Sequence, residues 1–210
     1  EKRRHFYKAG EIALDCGANI GVHTIEWAKN MTEWGEVFSF EPQEKIYYAL
    51  SGNIAINNCF NVTAKNAALG SVIGKINIPK PNYNKPSSFG SLELKEKKNN
   101  EFIGQAIDYQ NTKQIDMLSI DSLKLKRIDF IKIDVEGMEE EVLKGSTISI
   151  CRFCPILLIE HIKSDINSLK NFLENKNYEI FLVGMNILAI HKEDPTLIDV
   201  NIKGGMLNII

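Results

Sequence analysis

Residues 12–29 read IALDCGANIGVHTIEWAK, and this stretch decides the fold. Ile12, Ala13 and Leu14 form a short apolar strand, with Asp15 at its carboxyl end. Gly17 and Gly21 bracket a turn, where a missing Cβ lets the backbone approach a ligand or take positive φ. Ile20, Thr24, Trp27 and Ala28 then recur at roughly helical spacing. A strand, a glycine turn and a helix in that order open most open α/β nucleotide-binding folds. Ligands in such folds sit beyond the carboxyl ends of the strands.

The chemistry of the turn narrows the ligand. The dinucleotide fingerprint G-x-G-x-x-G is absent, because Cys16 to Gly21 offers G-x-x-x-G after an aspartate. The phosphate loop G-x-x-x-x-G-K-[ST] is absent too, since GSVIGK (70–75) lacks its glycine spacing and its final hydroxyl. A carboxylate at the head of a short turn repels a pyrophosphate and accepts from a cationic group. S-adenosylmethionine offers an α-ammonium and carries no phosphate.

Asp15-x-Gly17-Ala18-Asn19-x-Gly21 resembles the cofactor loop of class I S-adenosylmethionine-dependent methyltransferases. The later string IDFIKIDVEGMEEEVLKG (128–145) resembles the FkbM family of O-methyltransferases within that class. With FSFEP (38–42) and NAALG (66–70), the resemblance runs from about Gly10 to about Lys192. It implies a Rossmann-like α/β fold: a mostly parallel seven-stranded sheet, helices on both faces and an antiparallel final strand.

At 210 residues, one α/β domain is the default expectation. A net charge of −2 gives no nucleic-acid or anionic-membrane footprint. No apolar run approaches membrane-spanning length, and no signal-peptide pattern opens the chain, so a cytoplasmic location is expected. The opening EKRRHFYK lacks methionine, which is consistent with a domain cut from a longer chain. Cys151 and Cys154 form a single CxxC with no second pair for zinc, and a reduced, structural pair is expected.

Beyond the first helix, EVFSFE (36–41) reads as a second strand and Pro42 ends it. Glu41 lies 26 residues past Asp15. An acid at the tip of the second strand accepts both ribose hydroxyls of a nucleoside. Residues 44–58 read as a helix and 62–69 as a third strand. The resemblance places Asn66 and Ala67 beside an adenine ring, with a plain turn role for Asn66 as the alternative. Residues 71–104 break the rhythm with a hairpin and a segment rich in Pro, Asn, Ser and Gly, which predicts a lid over the site. Residues 106–119 supply a further strand and 120–125 a short helix. IDFIKID (128–134) is the fourth core strand and ends in Asp134-Val-Glu136-Gly137. PILLIEH (155–161) is the fifth, and Ser164 is expected to cap the helix after it. Residues 178–183 and 187–191 close the sheet as an antiparallel pair.

Four strand ends therefore converge on one edge, carrying Asp15, Glu41, Asp134 with Glu136, and Glu160 with His161. The expected cofactor residues are Asp15, Gly17, Ala18, Asn19, Gly21, Glu41, Pro42, Asn66, Ala67 and Asp134. An alcohol needs help to lose its proton at neutral pH. In one mechanism Glu136 or Asp134 is the general base and Lys132 polarises or positions. In the other, Asp134, Glu160 and His161 hold magnesium or manganese. His23, in the first helix turn, is read as a helix-face residue. The family resemblance implies a hydroxyl of a sugar or glycoconjugate as acceptor. A polyketide or lipid hydroxyl is one alternative. Two competing classes are a non-catalytic S-adenosylmethionine-binding module and a nicotinamide dehydrogenase, the latter disfavoured by the glycine pattern.

Overall fold

The computed structural model describes residues 10–203 and 206–209, the side chains of 199 and 201–209 excepted. The opening EKRRHFYK lies outside the described residues. Seven strands form the main sheet: β1 (Glu11–Cys16), β2 (Gly35–Phe40), β3 (Val62–Lys65), β7 (Phe130–Ile133), β8 (Ile156–Glu160), β9 (Tyr178–Val183) and β10 (Asn186–His191). Their spatial order is β3-β2-β1-β7-β8-β10-β9. The first five are parallel, and β10 runs antiparallel to both its neighbours, as expected. The order reverses between β1 and β7, and that crevice is where such sheets receive ligands.

Alternation along the strands assigns the faces. Leu14, Cys16, Ile131, Ile133, Leu157 and Ile159 are buried on the side of α3 (Glu139–Lys144), α4 (Thr147–Phe153) and α5 (Ile166–Glu174). Ala13 and Val37 pack on the other side with Ala28 of α1 (Val22–Asn30). The central strands are covered on both faces, which is why they read as near-continuous apolar runs. α2 (Glu44–Ile56) follows β2. No helix among the described residues is long and apolar enough to cross a membrane.

Three expectations change. The strand expected over 62–69 splits, because Asn66 donates its side-chain amide to the Glu41 and Pro42 carbonyls at 2.8 and 3.0 Å. Only β3 stays in the main sheet, and β4 (Ala68–Leu69) joins a second sheet of order β4-β6-β5. The inserted hairpin overruns its expected end at 104, since β5 (Gly74–Pro79) pairs antiparallel with β6 (Thr112–Leu118). Residues 80–111 are the loop between these strands. Finally, Asp165 rather than Ser164 caps α5, accepting from the Asn167 N–H at 2.9 Å. Ser164 donates its hydroxyl to Glu139 instead.

The small sheet sits on the carboxyl edge of the large one, with Ala68, Ile78, Leu94 and Ile115 packed around Met138. All four cysteines are free thiols. The tail, in which the sequence shows no pattern, forms β11 (Val200–Lys203) paired with β12 (Met206–Ile209).

Candidate functional site

A cavity of about 250 Å³ opens at the carboxyl ends of the parallel strands. Its floor is Gly17 and Asn19 after β1, Glu41 to Gln43 after β2, and Ala67 to Leu69 after β3. Asp134 to Glu136 after β7 and Glu160 ending β8 form one wall, and Ser88, Gly90, Ser91, Leu92 and Leu94 of the inserted loop form the roof. Glu41, Asp134, Glu136 and Glu160 line it, and no lysine or arginine does among the described residues.

Two close approaches build this edge. Gly17 has φ +83°, and a Cβ there would lie 1.7 Å from the Asp134 carbonyl oxygen. Only glycine lets the first turn lie against the tip of β7. Gly90 in the roof approaches Asn19, whose side-chain nitrogen would be 2.3 Å from an added Cβ.

Glu41 is buried, at 4 % exposure. One carboxylate oxygen accepts from the Asn19 N–H at 3.0 Å and the other from the Gln43 N–H at 2.8 Å. Burial pushes its pKa up to about 7, against the pull of those two N–H groups. Each oxygen keeps a lone pair toward the cavity.

Beneath the first turn lies a buried polar row. Ser39, Asp15 and Lys132 are register partners on β2, β1 and β7, so their side chains emerge on the α1 face. Thr24 of α1 donates to Asp15 Oδ2 at 2.6 Å and bonds Ser39 Oγ at 2.8 Å. Asp15 Oδ1 has no hydrogen-bond partner, although the Lys132 ammonium is 3.6 Å away. Lys132 donates to Asp134 Oδ2 at 2.9 Å. Burial works against its charge, but Asp15 and Asp134 outweigh that and hold it above the usual lysine range.

The turn after β7 is held in an unusual shape. Glu136 and Gly137 are both left-handed, with φ 57° and 92°. A non-glycine residue there is uncommon and concentrates at functional sites. The buried Glu139 holds the turn, its Oε1 accepting from Val135 N–H at 3.2 Å and Gly137 N–H at 3.0 Å. Asp134, Glu136 and Glu160 each place a carboxylate oxygen within 4.8 Å of the others. Lys163 pairs with Glu136 at 2.5 Å. Burial raises the Glu136 pKa, with Lys163 opposing. The Glu160 carboxylate accepts no hydrogen bond and makes no salt bridge among the described residues. Burial, then Asp134 and Glu136, pushes it up to about 7.

Comparison with known proteins now bears on this edge. Residues 15–180 match the methyltransferase FkbM domain. The chain belongs to the FkbM methyltransferase family. Two curated relatives of this FkbM chain are fungal. "Methyltransferase 1" of Beauveria bassiana is 24% identical over 181 residues, covering 80% of this chain and 72% of the relative. "Methyltransferase sdnD" of Sordaria araneosa is 31% identical over 157 residues, covering 63% of this chain and 59% of the relative. The solved structure of methyltransferase FkbM from Methylobacillus flagellatus superposes with a TM-score of 0.63 at 20% identity. That match covers 87% of this chain but 44% of the other, so the FkbM chain described here spans less than half of it. The fold is the class I methyltransferase fold.

Of the residues singled out from sequence, Gly17, Asn19, Glu41, Pro42, Ala67, Asp134, Glu136 and Glu160 line the cavity. Asp15, Ala18 and Lys132 are buried behind it. Gly21 caps α1. Asn66 staples the β2 tip rather than lining the cavity, as above. His161 stands outside the carboxylate cluster, its backbone N–H bonded to the Met185 carbonyl at 3.1 Å. Among the described residues the trio the fold gathers has Glu136, not the expected His161, beside Asp134 and Glu160. His23 stacks on Trp27, consistent with a helix-face residue. The roof residues, Gln43, Glu139 and Lys163 were missed. For Glu139 the signal was present, as the first acid after DVE-Gly, at a helix start.

Proposed function

We propose that this chain transfers a methyl group from S-adenosylmethionine to a hydroxyl of a sugar or glycoconjugate. One observation carries the reading: a cavity at the strand tips whose charged lining groups, among the described residues, are four carboxylates. Such a lining suits a sulfonium and an ammonium, and it repels phosphate, which disfavours the dehydrogenase reading. The residues fit the donor. Glu41 has lone pairs free for two ribose hydroxyls, and Phe40, Ala67 and Leu69 offer apolar surface to an adenine ring.

When bound, S-adenosylmethionine supplies an electrophilic methyl group on a cationic sulfur. The carboxylates at the β7 and β8 tips hold the acceptor hydroxyl. They take its proton as the new carbon–oxygen bond forms and the carbon–sulfur bond breaks. Asp134 and Glu136 already carry ammonium partners. Glu160 carries none, and we assign it the role of base, with Asp134 and Glu136 orienting the hydroxyl and Lys132 orienting Asp134. The inserted roof limits water, which strengthens each of these interactions.

A second reading puts magnesium or manganese among Asp134, Glu136 and Glu160, favoured by their mutual proximity. Two of those three carboxylates are already neutralised by lysines, which lowers the demand for a metal. A polyketide or lipid hydroxyl is the alternative acceptor, and a non-catalytic binding module the alternative role.

The test is a labelled-methyl assay against panels of glycans and of polyketide and lipid alcohols, with calorimetric titration of S-adenosylhomocysteine alongside. Asp134→Ala, Glu136→Ala and Glu160→Ala should each bind S-adenosylhomocysteine and lose turnover. Full turnover in all three would remove the cluster from the chemistry. Turnover abolished by chelation and restored by magnesium or manganese would favour the metal.

A further inference from the structure

Lys163 belongs to no motif read from the sequence, yet its side chain is only 11% exposed. An ammonium has three N–H donors, and here all three are used. One goes to Glu136 Oε2 at 2.5 Å, one to Glu101 Oε2 at 2.7 Å and one to the Ser91 carbonyl at 3.0 Å. Ser91 lines the cavity roof, Glu101 lies at the far end of the same segment, and Glu136 is a carboxylate of the site. The Lys163 carbonyl in turn accepts from Lys97 of that segment at 3.0 Å.

We propose that Lys163 is a positioning residue that couples closure of residues 88–101 over the cavity to the aim of the Glu136 carboxylate. The segment has little regular structure to hold it, being a single 3-10 turn, Phe89–Ser91, followed by coil. Buried Leu92 and Leu94 and a hydrogen bond from Gln43 to the Phe89 carbonyl at 2.7 Å seat it on the body, while its other ion pair to the body, Lys95 to Glu141, is an exposed surface pair worth little. That pair reaches no cavity carboxylate. Lys163 does, and it is nearly buried, so screening by solvent is weak. When the roof lifts, Lys163 loses Glu101 and the Ser91 carbonyl, two of the three partners that hold its ammonium beside Glu136. When the roof is down, Glu136 is oriented beside Asp134 and Glu160. This rests on the reading of Glu136 as part of a methyl-transfer site, but the coupling itself does not require turnover to be observed.

Two substitutions in the full chain separate the contacts. Glu101→Gln weakens the roof anchor and leaves the Lys163–Glu136 pair. Lys163→Met removes both. Hydrogen exchange of amides 88–104 and 135–137 should quicken in both stretches for both variants, more strongly for Lys163→Met, and wild-type exchange in 135–137 for Glu101→Gln would overturn the coupling. With the acceptor that the panel yields, Lys163→Met should lower kcat roughly 10- to 100-fold, the scale of a misplaced catalytic group, with S-adenosylhomocysteine binding retained. Glu101→Gln should raise the acceptor KM and lower kcat in the same direction by a smaller factor than Lys163→Met. Should Lys163→Met fail to fold, Lys163→Arg keeps the charge, loses the three-way geometry and takes its place. Wild-type exchange in 88–104 in the Lys163 variant would overturn the proposal. So would identical kcat in the two variants. An inactive wild type on every acceptor would sink the methyl-transfer reading while the exchange data still decided the coupling.

Discussion

Replacing Glu41 by Gln separates two consequences of one buried carboxylate. Its two oxygens accept from the Asn19 and Gln43 N–H groups at 3.0 and 2.8 Å. A carboxamide offers one oxygen and one NH₂, so one of those N–H groups must face a donor. A hydrogen bond to a charged group is worth about 1.5–3 kcal/mol net. Losing one such bond, with the charge that would receive the ribose, should weaken S-adenosylhomocysteine binding roughly 10- to 100-fold at pH 8. Stability moves the other way. Burial lifts the Glu41 pKa from 4.5 to about 7, so ionising it in the fold costs up to about 3 kcal/mol. The folded pKa is raised, so this stability is complete below pH 4.5 and is lost as pH rises through about 7. Gln does not ionise. The stability of the variant relative to wild type should therefore climb between pH 5 and pH 8, by at most about 3 kcal/mol. Urea unfolding and calorimetry at pH 5, 6, 7 and 8 read both effects. Wild-type affinity at pH 8, or a stability difference that does not change with pH, would refute the reasoning.

Two further substitutions probe the scaffold. Gly17→Ala places a methyl group 1.7 Å from the Asp134 carbonyl at φ +83°. The left-handed conformation alone costs about 1–2 kcal/mol. The collision must also part the β1 and β7 tips, so calorimetry should find S-adenosylhomocysteine binding lost together with a lowered Tm. Glu139→Ala strips the acceptor from the Val135 and Gly137 N–H groups and from the Ser164 hydroxyl. Thermal unfolding should show a loss of roughly 3 kcal/mol or more, while Glu139→Gln, which keeps one acceptor oxygen, should recover part of it.

What the sequence disclosed follows the range of each interaction. The Asp15-to-Gly21 turn and the Asp134-to-Gly137 string are local: a glycine where the backbone must be left-handed, an acid at a strand end. Glu41 was legible because strand, helix and strand lengths fix its distance from the glycine turn. The face assignment of Asp15 and Lys132 follows from strand alternation once the register is known, but the register itself is a tertiary fact. It turns two expected ligand-contacting residues into a buried pair behind the cavity. Asn66 misled for the same reason, since its partners are 25 and 24 residues away in sequence. Lys163 was invisible. Its partners lie 27 and 72 residues away, and nothing in its neighbours marks it. The roof was foreseen as a lid from composition alone, but not which of its residues face the cavity.

The distribution of charge at this edge has its own logic. Six acids gather near the strand tips: Asp15, Glu41, Asp134, Glu136, Glu139 and Glu160. Among the described residues, Lys132 and Lys163 are the cations paired with them there. Burial first, and the neighbouring acids second, push the pKa of Glu41 and of Glu160 up to about 7. A cationic ligand in the cavity would relieve this repulsion and favour the ionised carboxylates, so its binding should release protons near neutral pH. If the ligand is S-adenosylmethionine, transfer of the methyl group removes the sulfonium charge that the carboxylates attract. The product would then be held less tightly by the acids than the donor was. The same excess of negative charge would thus favour capture of the donor and discharge of the product, without any movement of the strands that carry it.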